Sequence, residues 1–276
     1  MRVFLRVFVA LAALYISLVT MIPWLDWLVL YPTTAPVPAG KAVHRTIAVA
    51  SGDLEVWVSS SPLARVSGHP DFYLLCFYGN ASRAEIGADA DASLFPDQSL
   101  ELWAVNYPGY GGSTGPARLA KIGPVAVAAF DALASIAGGR PIILLGLSLG
   151  TTVALYVAAH RRVAGVILQD PLALREMILG RHGWWNLWLL AGPLALKVPR
   201  ELNSVANAKA VQAPGIIVTD QLDEVVPPKY QALVIQAYAG SKQVVSVPSG
   251  HHLSELTGSA LLQVQNWTEK VLLLSK

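Results

Sequence analysis

The stretch "LLGLSLGTT", residues 144–152, sets a serine between two glycines and is the first place in the chain where residue types and spacing could do chemistry. A serine hydroxyl is a weak nucleophile at neutral pH and needs a neighbouring base to take its proton. The Gly-x-Ser-x-Gly spacing alone is a weak signal, so its surroundings decide. Before it lies "PIILLG", a short apolar run of the kind that forms a buried strand; after it comes "LGTTVALYVAAHRR", a strong helix pattern. Ser148 therefore falls on a strand-to-helix turn. Such a turn leaves room only for glycines beside the serine, here Gly146 and Gly150, and aims the helix N-terminus at the hydroxyl.

Histidine is the obvious base, and there are six. His160 ends a helix pattern beside Arg161 and Arg162, and His44 and His69 lie in the opening region, where surface roles are expected. His182 lies in an insertion from which it could approach a substrate. "VPSGHHLSEL" follows the last strand pattern and precedes the last helix, so His251 and His252 both open onto the edge that carries Ser148. The imidazole needs an acceptor on its other nitrogen to fix its tautomer and to stabilise the cation. "VTDQLDEVVPP" offers Asp220, Asp223 and Glu224 at that edge, and Asp170 follows "VILQ" one strand earlier.

The elements that must position these groups are legible in outline. "VHRTIAVA" and "LEVWVSS" look like an opening hairpin. "FYLLCFY", "LELWAVNY", "PIILLGL", "VAGVILQ", "PGIIVTD" and "KQVVSVP" are almost continuously apolar, as strands covered on both faces should be. Helix-like segments alternate with them, among them "GPVAVAAFDALASIAGG", "PPKYQALVIQAYAG" and the final "LSELTGSALLQVQNWTEKVLLLSK". This alternation implies a mostly parallel sheet flanked by helices, with right-handed crossovers. The interval from about residue 171 to 211 breaks the rhythm with "WWNLWLLAGPLAL". At the C-terminal edge of such a sheet it would either overhang the ligand crevice as a cap or pack as an ordinary buried helix.

The order serine, acid, histidine matches the triad order of α/β-hydrolases. "GLSLG", "TDQLDEVVPP" and "PSGHHLSEL", with "FYGNAS" and "NYPGYGGSTG" upstream, resemble the α/β-hydrolase superfamily, and within it the membrane-anchored serine hydrolases related to depalmitoylating and lipid-ester-cleaving enzymes. The resemblance covers roughly residues 30 to 270 and includes the "LYPT" after the apolar leader. It implies the α/β-hydrolase fold, with a short apolar cap insertion and an N-terminal membrane helix. Residue by residue, the family's Asp-x-x-Val-Pro falls on Asp223, and its Gly-His on Gly250 and His251, with His252 as neighbour. The oxyanion loop, usually His-Gly-Asn-Ala, falls on Tyr78, Gly79, Asn80 and Ala81; by this resemblance the amides of Asn80 and Leu149 hold the oxyanion. Tyr78 stands in place of the usual histidine, and Pro108 in place of a frequent arginine. Tyr78, Trp184, Trp185 and Trp188 are candidates for substrate binding.

Composition narrows the alternatives. A 276-residue chain with 54% hydrophobic and 14% charged residues can bury a large core. A net charge of +2 without a basic, aromatic-laced stripe excludes a nucleic-acid partner. Cys76, the single cysteine, excludes an internal disulfide and a thiolate zinc cluster; "NYPGYGGSTG" lacks the ending of a phosphate loop, and no metal or cofactor is expected.

The leader "MRVFLRVFVALAALYISLVTMIPWLDW" carries Arg2 and Arg6, an apolar run long enough to span a bilayer, and Trp24, Trp27 and Tyr31 for the exit interface. The run ends without an Ala-x-Ala cleavage site, which favours an uncleaved anchor over a signal peptide or a buried helix. The expected organisation is thus an anchor over residues 1–30, a linker over 31–40 and a hydrolase domain over 41–276, outside the cytoplasm. The expected activity is cleavage of carboxylic esters or thioesters through an acyl-enzyme, with acyl-chain or lipid substrates favoured. A serine peptidase of the same fold and a non-catalytic membrane scaffold are the alternatives.

Overall fold

The structure is a computed structural model that describes residues 2–21, 24–50, 52–248 and 250–275. Ile22 and Pro23 at the end of the leader, Ser51 of the hairpin turn, and the side chains of Trp24 and His182 lie outside what is described. In chain order the elements are α1 (Arg2–Met21), α2 (Trp24–Val29), β1 (Val43–Val49), β2 (Gly52–Ser60), α3 (Pro62–Ser67), β3 (Phe72–Phe77), α4 (Ala84–Ser93), β4 (Leu100–Val105), α5 (Leu119–Ala137), β5 (Ile142–Leu147), α6 (Leu149–His160), β6 (Gly165–Gln169), α7 (Leu174–His182), α8 (Ala191–Leu196), α9 (Ser204–Ala208), β7 (Gly215–Asp220), α10 (Pro228–Ala237), β8 (Lys242–Val247) and α11 (Gly258–Leu274).

All eight apolar runs form strands of one sheet, in the order β1-β2-β4-β3-β5-β6-β7-β8. β1 and β2 are the expected hairpin, in register from Val43 opposite Val58 to Val49 opposite Gly52. β2 also runs antiparallel to β4, and every pairing from β4 through β8 is parallel. Every residue of β3, β6 and β7 is buried, because helices cover both faces. Strand alternation divides the core into two layers. Leu75, Phe77 and Leu144 pack with Ala129 and Leu133 of α5, Val153 of α6 and Val234 of α10. Leu74, Cys76 and Ile143 face Ala88 and Ala92 of α4, and Val264 and Trp267 of α11.

α4 escaped the sequence reading because its buried stripe is alanine. Ala84, Ala88 and Ala92 recur every fourth residue and are fully buried, but their short side chains give little hydrophobic signal while letting the helix lie close to the sheet.

The N-terminal organisation differs from expectation. α1 is apolar enough to cross a membrane, with mean hydropathy 2.0 over eighteen residues, and its side chains are nearly all exposed up to Leu18. α5 also passes on length and composition, but it is a core helix, 44% buried. Beyond α1, the chain belongs to the folded domain. Asp26 on α2 accepts hydrogen bonds from Leu119 N–H at 2.7 Å and Arg118 Nη1 at 3.0 Å, and so caps α5 from outside. Leu30 is buried in the core. Residues 31–40, expected as a linker, have no helix or strand yet are docked: Tyr31 N–H donates to the Tyr110 hydroxyl, Gly111 N–H to Thr33 O, and Arg83 Nη1 to the carbonyls of Thr33 and Ala35. Arg83 is itself buried and paired with Glu85, which fixes it as the clamp. The chain from α2 onward therefore packs with the sheet and its helices.

Within the insertion, Leu202, Ala208 and Val211 are fully buried and α9 packs on α6, while α7 and α8 bury Leu174, Ile178, Ala191 and Ala195 in the same core and the 3₁₀ turn between them (184–186) carries exposed tryptophans, so α7, α8 and that turn form the cap.

Candidate active site

β5 ends at Leu147 and α6 begins at Leu149, leaving Ser148 alone on the turn with φ 51° and ψ −116°. A non-glycine residue at positive φ is strained and persists only where its surroundings over-determine it. Here they do. The Ser148 N–H is held by Gln169 O at 2.9 Å, and its carbonyl accepts the Thr151 hydroxyl at 2.6 Å. A Cβ on Gly150 would lie 1.8 Å from Phe77 O, and one on Gly146 would lie 2.7 Å from Gly150 O. Both glycines are thus required by close backbone approach, as their spacing predicted.

On the far side, buried Asp170 directly follows β6 and buried Asp220 is the last residue of β7, with Asp223 one turn later. Asp223 Oδ1 accepts from the N–H groups of Val225 and Val226 at 2.7 and 2.8 Å, and Oδ2 accepts from Gln231 Nε2 at 3.2 Å and lies 2.8 Å from His252 Nδ1. The imidazole paired with the expected acid is therefore His252, whereas His251, the position carried over from the family pattern, is exposed. The backbone decides between these adjacent histidines. Asp170 Oδ2 accepts from Leu253 N–H at 2.7 Å and Asp220 Oδ2 from Ser254 N–H at 2.8 Å, which pins the turn so that residue 252 faces Asp223. Gly250 is required as well, since a Cβ there would sit 2.2 Å from Asp220 Oδ1.

Asp170 is more than a support. Its Oδ2 lies 3.8 Å from His252 Nδ1, and its Oδ1 accepts from Asp220 N–H and Gln231 Nε2. Burial pushes its pKa up to about 7; the hydrogen bonds from Leu253 and Asp220 pull it down, and the charges of Asp220 and Asp223 raise it again. Asp170, Asp223 and His252 bring three ligand-type atoms within 4.8 Å of one another, but these atoms are engaged by backbone amides, Gln231 and each other, so the cluster is a hydrogen-bond network. An aspartate directly after each of two buried strands was visible in the sequence; Gln231, one turn into α10, carried no signal.

Ser148 Oγ has no hydrogen-bond partner among the described residues, so the link from serine to imidazole is open in this state. The histidine turn is nevertheless adjacent: a Cβ on Gly79 would lie 3.5 Å from Ser148 Cβ and 3.9 Å from Leu253 Cδ1. Gly79 belongs to the loop between β3 and α4 that the oxyanion assignment invoked. Tyr107 and Tyr110 hold this loop by donating to Tyr78 O and Asn80 O, and the Asn80 side chain donates to Val29 O at 2.7 Å. Leu149 opens α6, where first-turn amides have no partner within the helix.

The four residues expected to contact substrate lie in two different environments. Tyr78 is buried beneath the loop and donates to Asp91 Oδ2 at 2.6 Å; burial raises its pKa and pushes that of Asp91 up to about 6. Trp184, Trp185 and Trp188 are 69%, 61% and 51% exposed, and the Trp188 indole N–H donates to Leu179 O at 3.1 Å. A 180 Å³ apolar cavity does lie under the histidine turn, lined by Leu145, Leu147, Ile167, Leu253 and Leu256 among others. The glycine-rich "NYPGYGGSTG" is structural: Gly112 N–H donates to buried Glu55, and Asn106 bridges Glu55 and Glu85.

A family model described as alpha/beta hydrolase fold matches residues 91–211. An uncharacterized protein of Mycobacterium tuberculosis is 28% identical over 259 residues, covering 90% of this chain and 88% of that one. The alpha/beta hydrolase domain-containing protein aho-3 of Caenorhabditis elegans is 27% identical over 175 residues, 62% of this chain and 49% of its own length. Among solved structures, an esterase of Pyrococcus furiosus superposes with a TM-score of 0.64 at 12% identity, covering 88% of this chain and 95% of that one. An alpha-beta hydrolase of Vibrio vulnificus superposes with a TM-score of 0.62 at 21% identity, covering 86% and 82%.

Proposed function

We propose that this chain, which has the alpha/beta-hydrolase fold, is a membrane-anchored serine hydrolase of that superfamily cleaving carboxylic esters or thioesters. The observation that carries this reading is Ser148 held at positive φ at the head of α6, a strained conformation that a loop serine has no reason to keep. Ser148 Oγ attacks the acyl carbonyl as His252 Nε2 takes its proton, a step that needs the histidine turn to close the open hydrogen bond. Asp223 on Nδ1 fixes the tautomer and balances the imidazolium. The amides of Asn80 and Leu149 hold the oxyanion; such donors are worth about 3 to 4 kcal/mol each. His252 then protonates the departing alkoxide or thiolate, and water, deprotonated by the same imidazole, releases the acid from Ser148.

The anchor is α1, with Arg2 and Arg6 favouring a cytoplasmic N-terminus and hence a domain on the other side. Acyl-chain or lipid substrates suit this placement and the cavity under the histidine turn. Labelling by a fluorophosphonate probe tests the chemistry: it should be lost in Ser148→Ala and severely slowed in His252→Ala but kept in His251→Ala. Labelling of Ser148→Ala at the parental rate would refute the assignment. Faster turnover of peptide amides than of matched esters would replace an esterase by a peptidase.

A further inference from the structure

α1 is a helix of twenty residues, about 30 Å long at ~1.5 Å per residue, so a bilayer that holds it has one face near residue 20. That is the end at which the helix meets the protein: Val19 is 6% exposed, whereas Arg2 to Leu18 are exposed apart from the half-buried Ala12 and Tyr15. The element it meets is α8 of the cap. Contact with this end of α1 would bring the cap to the level of the headgroups, and its outward residues have the composition of an interfacial belt. Trp184, Trp185, Leu187, Trp188, Leu189 and Leu196 are exposed, and residues 174–201 hold four basic side chains, Arg175, Arg181, Lys197 and Arg200, against two acidic, Glu176 and Glu201, the latter 3.5 Å from Arg200.

We infer that the cap docks on the bilayer that contains α1, inserting its tryptophan and leucine surface between lipid headgroups. This rests on the reading of α1 as a membrane helix, but not on the hydrolytic chemistry. The occupant is lipid because the patch is continuous with a helix that lipid must surround, and its basic rim matches anionic headgroups. Arg181 Nη1 also donates to the carbonyls of Glu224 and Val225, which ties the cap to the loop of Asp223. A substrate leaving the bilayer would thus reach the site beside the cap without crossing bulk water.

The test uses the full chain in vesicles of phosphatidylcholine with and without phosphatidylglycerol. Cys76 is fully buried, so single cysteines can carry a nitroxide at Trp185→Cys, Leu189→Cys and Leu196→Cys on the cap, Leu11→Cys on α1 and Val66→Cys on α3, at the opposite edge of the sheet. Each replaced side chain is exposed, so the fold should tolerate the label. Collisions with oxygen should exceed those with a water-soluble nickel chelate at all cap positions and at Leu11→Cys, with the reverse at Val66→Cys, and the preference at the cap should grow with phosphatidylglycerol. Chelate-accessible cap labels beside a lipid-accessible Leu11→Cys would overturn the inference and leave the anchor standing. A chelate-accessible Leu11→Cys would overturn both. Dipolar broadening at the cap that is relieved by unlabelled protein would assign the patch to a second copy of the chain instead.

Discussion

Removing the carboxylate of Asp223 should be less harmful as Asp223→Ala than as the near-isosteric Asp223→Asn. Two backbone amides, Val225 and Val226, fill Oδ1 at 2.7 and 2.8 Å, so an asparagine amide must keep its oxygen there and turn its NH₂ toward His252 Nδ1. Nδ1 then has to accept, the ring proton moves to Nε2, and the imidazole can no longer deprotonate Ser148; this tautomer error costs about ten-thousand-fold in a comparable triad. Alanine imposes no such error and leaves Asp170 Oδ2 at 3.8 Å from Nδ1. At an effective dielectric of about 20, a charge pair at that distance is worth about 4 kcal/mol, against about 6 kcal/mol at the 2.8 Å separation of Asp223. Loss of the Asp223 charge also removes one of the repulsions that raise the Asp170 pKa, which favours its carboxylate form in the variant. The net loss is about 1.5 kcal/mol, about tenfold in kcat/KM.

The assay is hydrolysis of a water-soluble p-nitrophenyl ester, normalised to sites titrated with a fluorophosphonate, because alanine removes the acceptor of the Val225 amide and of the buried Val226 amide and lowers the folded fraction. Asp170→Ala/Asp223→Ala should fall well below either single variant. An Asp223→Asn variant as active as Asp223→Ala, or a double variant no worse than Asp223→Ala, would refute the argument.

Gly150→Ala should lower stability by about 3 kcal/mol or more and abolish labelling of Ser148, since its methyl meets Phe77 O at 1.8 Å and only a backbone shift can relieve the clash; urea denaturation would read it. Asp170 and Asp91 both titrate higher in the folded state than unfolded, so the native protein holds more protons than the unfolded chain between about pH 4 and their folded values of about 7 and 6. Stability should fall as pH rises through that window, by at most about 1.4 kcal/mol per pH unit for each group, and Asp170→Asn should flatten the slope. Deleting residues 1–21 should leave a folded domain, whereas deleting residues 1–41 removes Leu30 and the partners of Arg83, Tyr110 and Leu119, and should lower the melting temperature sharply. Asp26→Ala alone should cost about 1 to 2 kcal/mol by uncapping α5.

The amino-acid sequence by itself determined the sheet and the turn that carries Ser148. Continuous apolar runs such as "FYLLCFY" can only be covered on both faces, and a serine between two glycines at a strand-to-helix junction has few conformations open to it. These are short-range constraints, written where they act. It also placed Asp223 and the pair His251 and His252 on one edge, because strand ends alternate with helices in a parallel sheet. Which histidine turns inward was settled by Asp170 and Asp220, which reach across from two other strand ends to grip the amides of Leu253 and Ser254. Tertiary structure likewise decided that residues 26–35 belong to the domain, through Arg83 and Tyr110 far along the chain, and that Tyr78 points into the core while the cap tryptophans stay exposed. Periodicity reports the direction of a side chain within its own element. Partners outside that element leave no mark on its period, so contacts made through them emerge only when the chain closes on itself.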